Sequence, residues 1–97
     1  MSRNKNIAEE ILGSKGRIRV LRVLTESVEL NISEISRRTG LNYTSVERHL
    51  TKLEKHGIVK EKRYGKIRIF QILFTKLNIR FEKGSDPILE VENSSNF

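Results

Sequence analysis

Tyr43, Thr44, Ser45, Glu47 and Arg48 crowd one short stretch with hydroxyl, carboxylate and guanidinium groups. Such groups can pair with the edges of bases: arginine donates two bonds to guanine, a carboxylate accepts from cytosine, and hydroxyls serve either role. Lys52 and Lys55 follow on the same stretch, and Arg37 and Arg38 precede it. A second concentration lies downstream, where Lys60, Lys62, Arg63, Lys66 and Arg68 place five cations within nine residues, against the single acid Glu61. Cations of this kind neutralise phosphates, and an arginine at a turn suits a narrow minor groove. A charged sheet edge that blocks aggregation is the alternative reading of the second group.

Bond-making chemistry has little support. The chain has no cysteine, which removes disulfides, thiolate metal sites and cysteine nucleophiles. Asp86 is its only aspartate, and no Ser/His/Asp set, phosphate-cradling glycine loop or paired carboxylate motif stands out. No enzyme activity, cofactor, metal or small-molecule effector is expected.

Composition points the same way. Net charge is +7 over 97 residues. From position 85 onward there are three acids, Asp86, Glu90 and Glu92, and no base, so the body is more basic than the total. A basic body with an acidic tail suits a polyanion partner. With 36% apolar and 32% charged residues the chain is globular rather than disordered. No stretch has the roughly 20 apolar residues that span a membrane, and no leader is visible. A cytoplasmic, chromosome-associated protein is expected.

The elements must hold the reading stretch clear of the body. Residues 4–12 read as a short helix closed by Gly13 in a left-handed conformation. Ser14 caps a second helix to about Glu26, whose apolar residues Ile18, Val20, Leu21, Val23 and Leu24 form a stripe wide enough for contact on two sides. Leu30, Asn31 and Ile32 alternate as a very short strand. Ser33 then caps a short helix, residues 33–39, with Glu34 in its first turn. Gly40 provides the turn to a long helix, residues 42–56, closed by Gly57. Asn42 and Thr44, the latter with Glu47 as a capping box, compete as its N-cap. Ile35, Leu41, Val46 and Leu50 supply the apolar contacts between the two helices, and Ser36 is small where they approach. Residues 58–63 and 66–72 form a hairpin around Tyr64-Gly65. Beyond Leu73 the apolar residues Leu73, Phe74, Leu77 and Phe81 favour a helix over a strand. Ser85-Asp86-Pro87 looks like a further helix start, giving one or two turns before a fraying end at 93–96.

The order helix, helix, strand, helix, turn, helix, hairpin is an α+β fold, a mostly helical winged helix-turn-helix with a two- to three-stranded wing. The expected division is a domain over 1–84 and a short acidic tail over 85–97. The stretch Gly40-Leu-Asn-Tyr-Thr-Ser-Val-Glu-Arg-His-Leu-Thr-Lys-Leu-Glu-Lys-His-Gly-Ile-Val resembles the recognition-helix signature of ArsR/MarR-type winged helix regulators. Ile11-Leu-Gly-Ser-Lys-Gly-Arg-Ile-Arg-Val-Leu-Arg-Val-Leu and Gly65-Lys-Ile-Arg-Ile-Phe are similar to small archaeal members of that group. The resemblance implies Asn42 as the cap. It also implies that Tyr43, Thr44, Ser45, Glu47 and Arg48 face bases and that residues 58–72 are the wing, with Lys62, Arg63, Tyr64, Lys66 and Arg68 on phosphates or in the minor groove. Metal-sensing relatives use cysteine and histidine clusters. Here only His49 and His56 exist, and His49 falls on the core-facing stripe as a packed, hydrogen-bonded residue. The segment after Ile72 lacks the long dimerising helix of such relatives.

The expected function is therefore sequence-specific binding of double-stranded DNA in transcription regulation, by a homodimer. The dimer is motivated by Ile7, Ile11, Leu12, Phe74, Leu77, Phe81, Ile88 and Leu89, which one small domain has trouble burying. A winged helix that docks proteins in a transcription or replication assembly is the alternative. RNA binding is disfavoured, because only Tyr43 and Tyr64 could stack on bases from the binding side.

Overall fold

The computed structural model describes residues 6–93. Helix α1, Ile7–Leu12, starts at Asn6, whose side chain accepts from the amides of Ala8 and Glu9. The expected extension back to residue 4 lies outside the described residues. Gly13 ends the helix at φ −75°, not in the left-handed region expected for it. Its amide reaches the Glu9 carbonyl without a change of hand. Helix α2, Lys15–Thr25, is capped by Ser14 as expected, and buries Val20, Leu21, Val23 and Leu24. It packs on α1 and on three elements that follow it, which accounts for its wide stripe. Ile18 is the departure, since it remains partly exposed.

Strand β1, Leu30–Asn31, leads directly into α3, Ile32–Thr39. The cap of α3 is Asn31, which accepts from the Glu34 amide, and not Ser33. Asparagine at the end of β1 already has the extended backbone a cap requires, so the cap falls two residues before the expected serine. Gly40 follows at φ 78°, where a side chain would be strained. Helix α4, Tyr43–Lys55, is capped by Asn42, which settles the competition with Thr44: the Asn42 side chain accepts from the Ser45 amide at 2.8 Å.

Strands β2, Val59–Tyr64, and β3, Ile67–Ile72, form an antiparallel hairpin, and β1 joins the other edge of β3. The core sits between the helices and this sheet. Val20, Leu24, Ile35, Val46, Leu50, Leu53, Val59 and Phe70 are all but fully buried there. Burial of this many aliphatic side chains, each worth about 1.5–3 kcal/mol, is what holds the steep α3–α4 corner.

The chain after Leu73 differs from expectation. Its described residues form not a helix but a second hairpin, β4, Lys76–Arg80, with β5, Ile88–Glu92. Leu77 lies opposite Val91 and Ile79 opposite Leu89, which gives the hairpin one apolar face. Leu77 and Leu89 press that face on the core. Asn6 Nδ2 donates to the Pro87 carbonyl at 2.9 Å and ties α1 to the start of β5. Ser85-Asp86-Pro87 thus belongs to a connection into a strand rather than to a helix start. The expected boundary between 84 and 85 falls within the turn of this hairpin. The fraying expected at 93–96 lies mostly outside the described residues.

Candidate nucleic-acid interface

Helix α4 has two faces. Val46, His49, Leu50 and Leu53 are buried against the body. Tyr43, Thr44, Arg48, Thr51 and Lys55 are exposed, while Ser45, Glu47 and Lys52 are half-buried at the margins. The angle at which α4 leaves the body is fixed by the turn before it. The Ser36 hydroxyl donates to the Leu41 carbonyl. The Thr39 hydroxyl donates to the Ile35 carbonyl at 2.7 Å and accepts from the Leu41 amide at 3.2 Å. Ser36 therefore acts through a hydrogen bond as well as through its small size.

His49 is buried on the core-facing stripe, as expected, yet its Nδ1 has no hydrogen-bond partner among the described residues, contrary to expectation. Burial holds its pKa below the ordinary 6.5, and the cations of Arg17, Arg48 and Lys52 push it the same way. The imidazole is neutral at pH 7 and adds no charge to the interface. Among the described residues no group of three or more His, Cys, Asp or Glu side chains could hold a metal ion.

The wing cations are engaged to different degrees. In the β2–β3 register Arg63 lies opposite Arg68 and Glu61 opposite Phe70, so these four share one face. Two arginines directly across a ladder repel. Glu61 sits between them, accepting from Arg68 Nε at 2.7 Å and from Arg63 Nε at 3.1 Å. Arg68 also donates through Nη1 to Glu47 of α4 at 2.6 Å, and its guanidinium carbon lies 5.6 Å from the Phe70 ring centroid. The hydrogen bond from Arg68 chiefly holds the Glu61 carboxyl below its usual range, and the one from Glu61 chiefly raises the Arg68 pKa. On the other face Lys62 bonds Glu29 at 2.8 Å, and this bond raises the Lys62 pKa. Lys66, Tyr64 and Ile67 are exposed at the tip.

Among the cations away from the wing, Lys52 stands 3.9 Å from Glu10, and Arg37 stands 3.9 Å from Glu34. Arg38 donates to the Ser27 hydroxyl at 3.2 Å. Arg48, Lys55 and Lys66 have no ion pair or hydrogen bond through their side chains among the described residues. The structure thus places Glu47 and Arg68, expected on bases and phosphates, in one network linking α4 to the wing. Sequence reasoning passed over Glu61 and Glu29. Glu61 had a signal, being the lone acid in a cationic hairpin and two residues from Arg63 on the same face. Glu29 lies 33 positions before Lys62 and had none.

Residues 14–61 match the family model described as bacterial regulatory protein, arsR family. No curated protein sequence gives a significant match. Several solved structures are similar. One is a homodimeric winged helix-turn-helix DNA-binding domain from Mycobacterium bovis, described as a possible ArsR-family transcriptional regulator, with 27% identity and TM-score 0.59. The match covers 65% of this chain and 57% of that one, so this chain spans little more than half its length. The AntR antimony-specific transcriptional repressor (22% identity, TM-score 0.63, 69% of this chain and 60% of that one) shares the fold. So does reduced HlyU from Vibrio cholerae (21% identity, TM-score 0.60, 68% of each chain). Residues 14–61, from the Ser14 cap into the first strand of the wing, thus match an ArsR-family helix-turn-helix, and the chain shares the winged helix fold of these structures.

Proposed function

We propose that this protein is a transcriptional regulator that binds double-stranded DNA in a sequence-specific manner, with α4 in the major groove and the β2–β3 wing on the flanking backbone or minor groove. The observation that carries this is the exposed face of α4. Tyr43, Thr44 and Arg48 stand clear of the body at the capped end of a helix whose opposite face is locked in the core. This is the helix that enters the groove in helix-turn-helix proteins. Tyr43, Thr44, Ser45 and Arg48 face bases in this reading. Arg37, Arg38, Lys52, Lys55, Lys66 and Arg63 meet phosphates, with Tyr64 beside them. Such a protein works in the cytoplasm, on the chromosome. The archaeal and MarR-like side of the sequence resemblance rests on residues 11–24 and 65–70 together with the α4 signature.

The reading includes a homodimer. The Mycobacterium bovis neighbour is described as homodimeric. Within one copy Ile11 and Phe74 are buried, and Ile7, Leu77 and Leu89 pack on the core, so these no longer call for a partner. An apolar cleft of about 430 Å³ between α1, α2 and β4 remains open, lined in part by Leu12, Ile18 and Ile79. Two copies joined there would present two reading helices to a near-palindromic site with half-sites about 34 Å apart.

The test is selection of bound duplexes from a random pool, followed by titration of the enriched sequence at several salt concentrations. Enrichment of a motif, bound at least about a thousandfold more tightly than scrambled duplex, is expected. Recovery of no motif, with weak binding that does not depend on salt, overturns the proposal.

A further inference from the structure

We propose that Glu47 is a positioning residue: through Arg68 it locks the wing to the reading helix, so that major-groove and wing contacts fall at one fixed spacing on the DNA. This rests on the DNA-binding reading above. Glu47 lies one helical turn after Tyr43, on the side of α4 that meets β3 rather than on its fully exposed face. Its carboxylate oxygen Oε2 takes the Arg68 Nη1 bond at 2.6 Å.

Arg68 is itself held from three directions. Glu47 and Glu61 bond two of its nitrogens, and the buried Phe70 ring lies beneath its guanidinium. Charge-assisted contacts are stronger than neutral ones, and two of them to different nitrogens of one guanidinium orient its plane as well as set its distance. The Arg68 and Glu61 side chains are 23% and 16% exposed, so solvent screens the pair less than it would a surface pair. Moving Arg68 to a phosphate would strip Glu47 of its partner and leave Glu61 with Arg63 alone. These two carboxylate bonds make Arg68 a strut and not a probe. Glu61 extends the strut outward, because the same oxygen that holds Arg68 also takes Arg63 Nε. The wing-tip guanidinium is therefore presented from a braced strand. Lys62 with Glu29 braces the opposite face.

The experiment combines footprinting with a double-mutant cycle on the selected duplex. Glu47→Ala, Arg68→Ala and the double variant are titrated, with Glu47→Gln as the conservative control that keeps an acceptor for Arg68. The proposal expects each alanine variant to select the same bases in the major groove. It also expects loss of hydroxyl-radical protection at the backbone positions under the wing. The double variant should bind about as well as the weaker single one, a coupling of about fivefold or more. Glu47→Gln should retain most of the wing protection.

A second measurement needs no DNA. The chain has no cysteine, so spin labels at Glu54→Cys and Lys66→Cys report the helix-to-wing distance alone. That distribution should broaden in Glu47→Ala and in Arg68→Ala, and stay narrow in Glu47→Gln. A changed base preference at one motif position with wing protection intact would show Glu47 reading a base and overturn the proposal. Additive losses in the cycle, or an unchanged distance distribution, would also overturn it. If the unaltered protein fails to bind any duplex, the DNA-binding reading fails, and the distance measurement still decides whether the strut exists.

Discussion

Gly16 and His49 touch: a Cβ placed on Gly16 would lie 2.7 Å from His49 Nε2 and 3.4 Å from Leu41 Cδ1. The absence of a side chain at Gly16 lets α2 approach the middle of α4 and the turn before it.

Gly16→Ala is therefore expected to destabilise. Gly16 is the second residue of α2, so alanine there gains at most about 1 kcal/mol, its advantage over glycine in a helix interior. Overpacking a buried ring costs about 1–3 kcal/mol. The clash should win, with a net loss of about 1 kcal/mol visible as a lower melting temperature. A melting temperature above that of the unaltered protein would show that the His49 ring swings away freely.

His49 also predicts a pH dependence. Burial and the neighbouring Arg17, Arg48 and Lys52 lower its pKa in the folded state, so the unfolded chain binds its proton more readily. Stability from this group is fully present above the unfolded value near 6.5 and declines as pH falls below it toward the folded value. Glu61, also lowered, is fully ionised over this window and contributes its own loss only below its ordinary 4.5. Melts between pH 7.5 and 5.5 should show falling stability, with the His49 ring resonances titrating below pH 6.5. A flat profile with an ordinary His49 titration would remove the effect.

The cap of α4 separates Asn42 and Thr44 by role. Asn42→Ala should cost about 1 kcal/mol, because the Ser45 amide loses its acceptor. Thr44→Ala, at an exposed position outside the cap, should leave stability within about 0.5 kcal/mol. Denaturant titration of the two variants checks the pair, and equal losses would contradict the assignment.

Arg48 and Lys66 should differ on DNA. Arg48→Ala is expected to weaken the selected duplex more than a scrambled one, by about 1–3 kcal/mol, and to relax one base position. Lys66→Ala should weaken both alike and reduce the slope of log K against log salt by about one. Titrations of both duplexes at several salt concentrations distinguish them. Equal losses for Arg48→Ala, together with lost base preference for Lys66→Ala, would reverse the roles.

Ile18→Glu tests the dimer face. Ile18 is 41% exposed beside the apolar cleft, so a carboxylate there should leave the fold intact. It should block association of two copies by burying an unpaired charge. Sedimentation equilibrium should show dimer for the unaltered protein and monomer for the variant. Monomer for both at high micromolar concentration would refute the homodimer.

Much of this protein is determined by local sequence. The Ser14 cap, the Gly40 turn, the two-faced pattern of α4 and the Tyr64-Gly65 hairpin each depend on residues a few positions apart, so periodicity and capping chemistry reveal them. The cation clusters on α4 and the wing are legible for the same reason. Tertiary structure decided the rest. Residues 76–80 carry a pattern compatible with helix or strand, and only the arrival of Leu89 and Val91 opposite Ile79 and Leu77 makes the strand win. The capping of α3 by Asn31 follows from the pairing of β1 with β3, which extends the backbone at that residue. Glu47 and Arg68 look like a base reader and a phosphate anchor in sequence. They lie 21 positions apart, and only the packing of α4 against the hairpin brings their charges to 2.6 Å. Side chains with several possible partners take the one that folding places nearest, and for charged groups that partner is set by distance in space rather than by spacing along the chain.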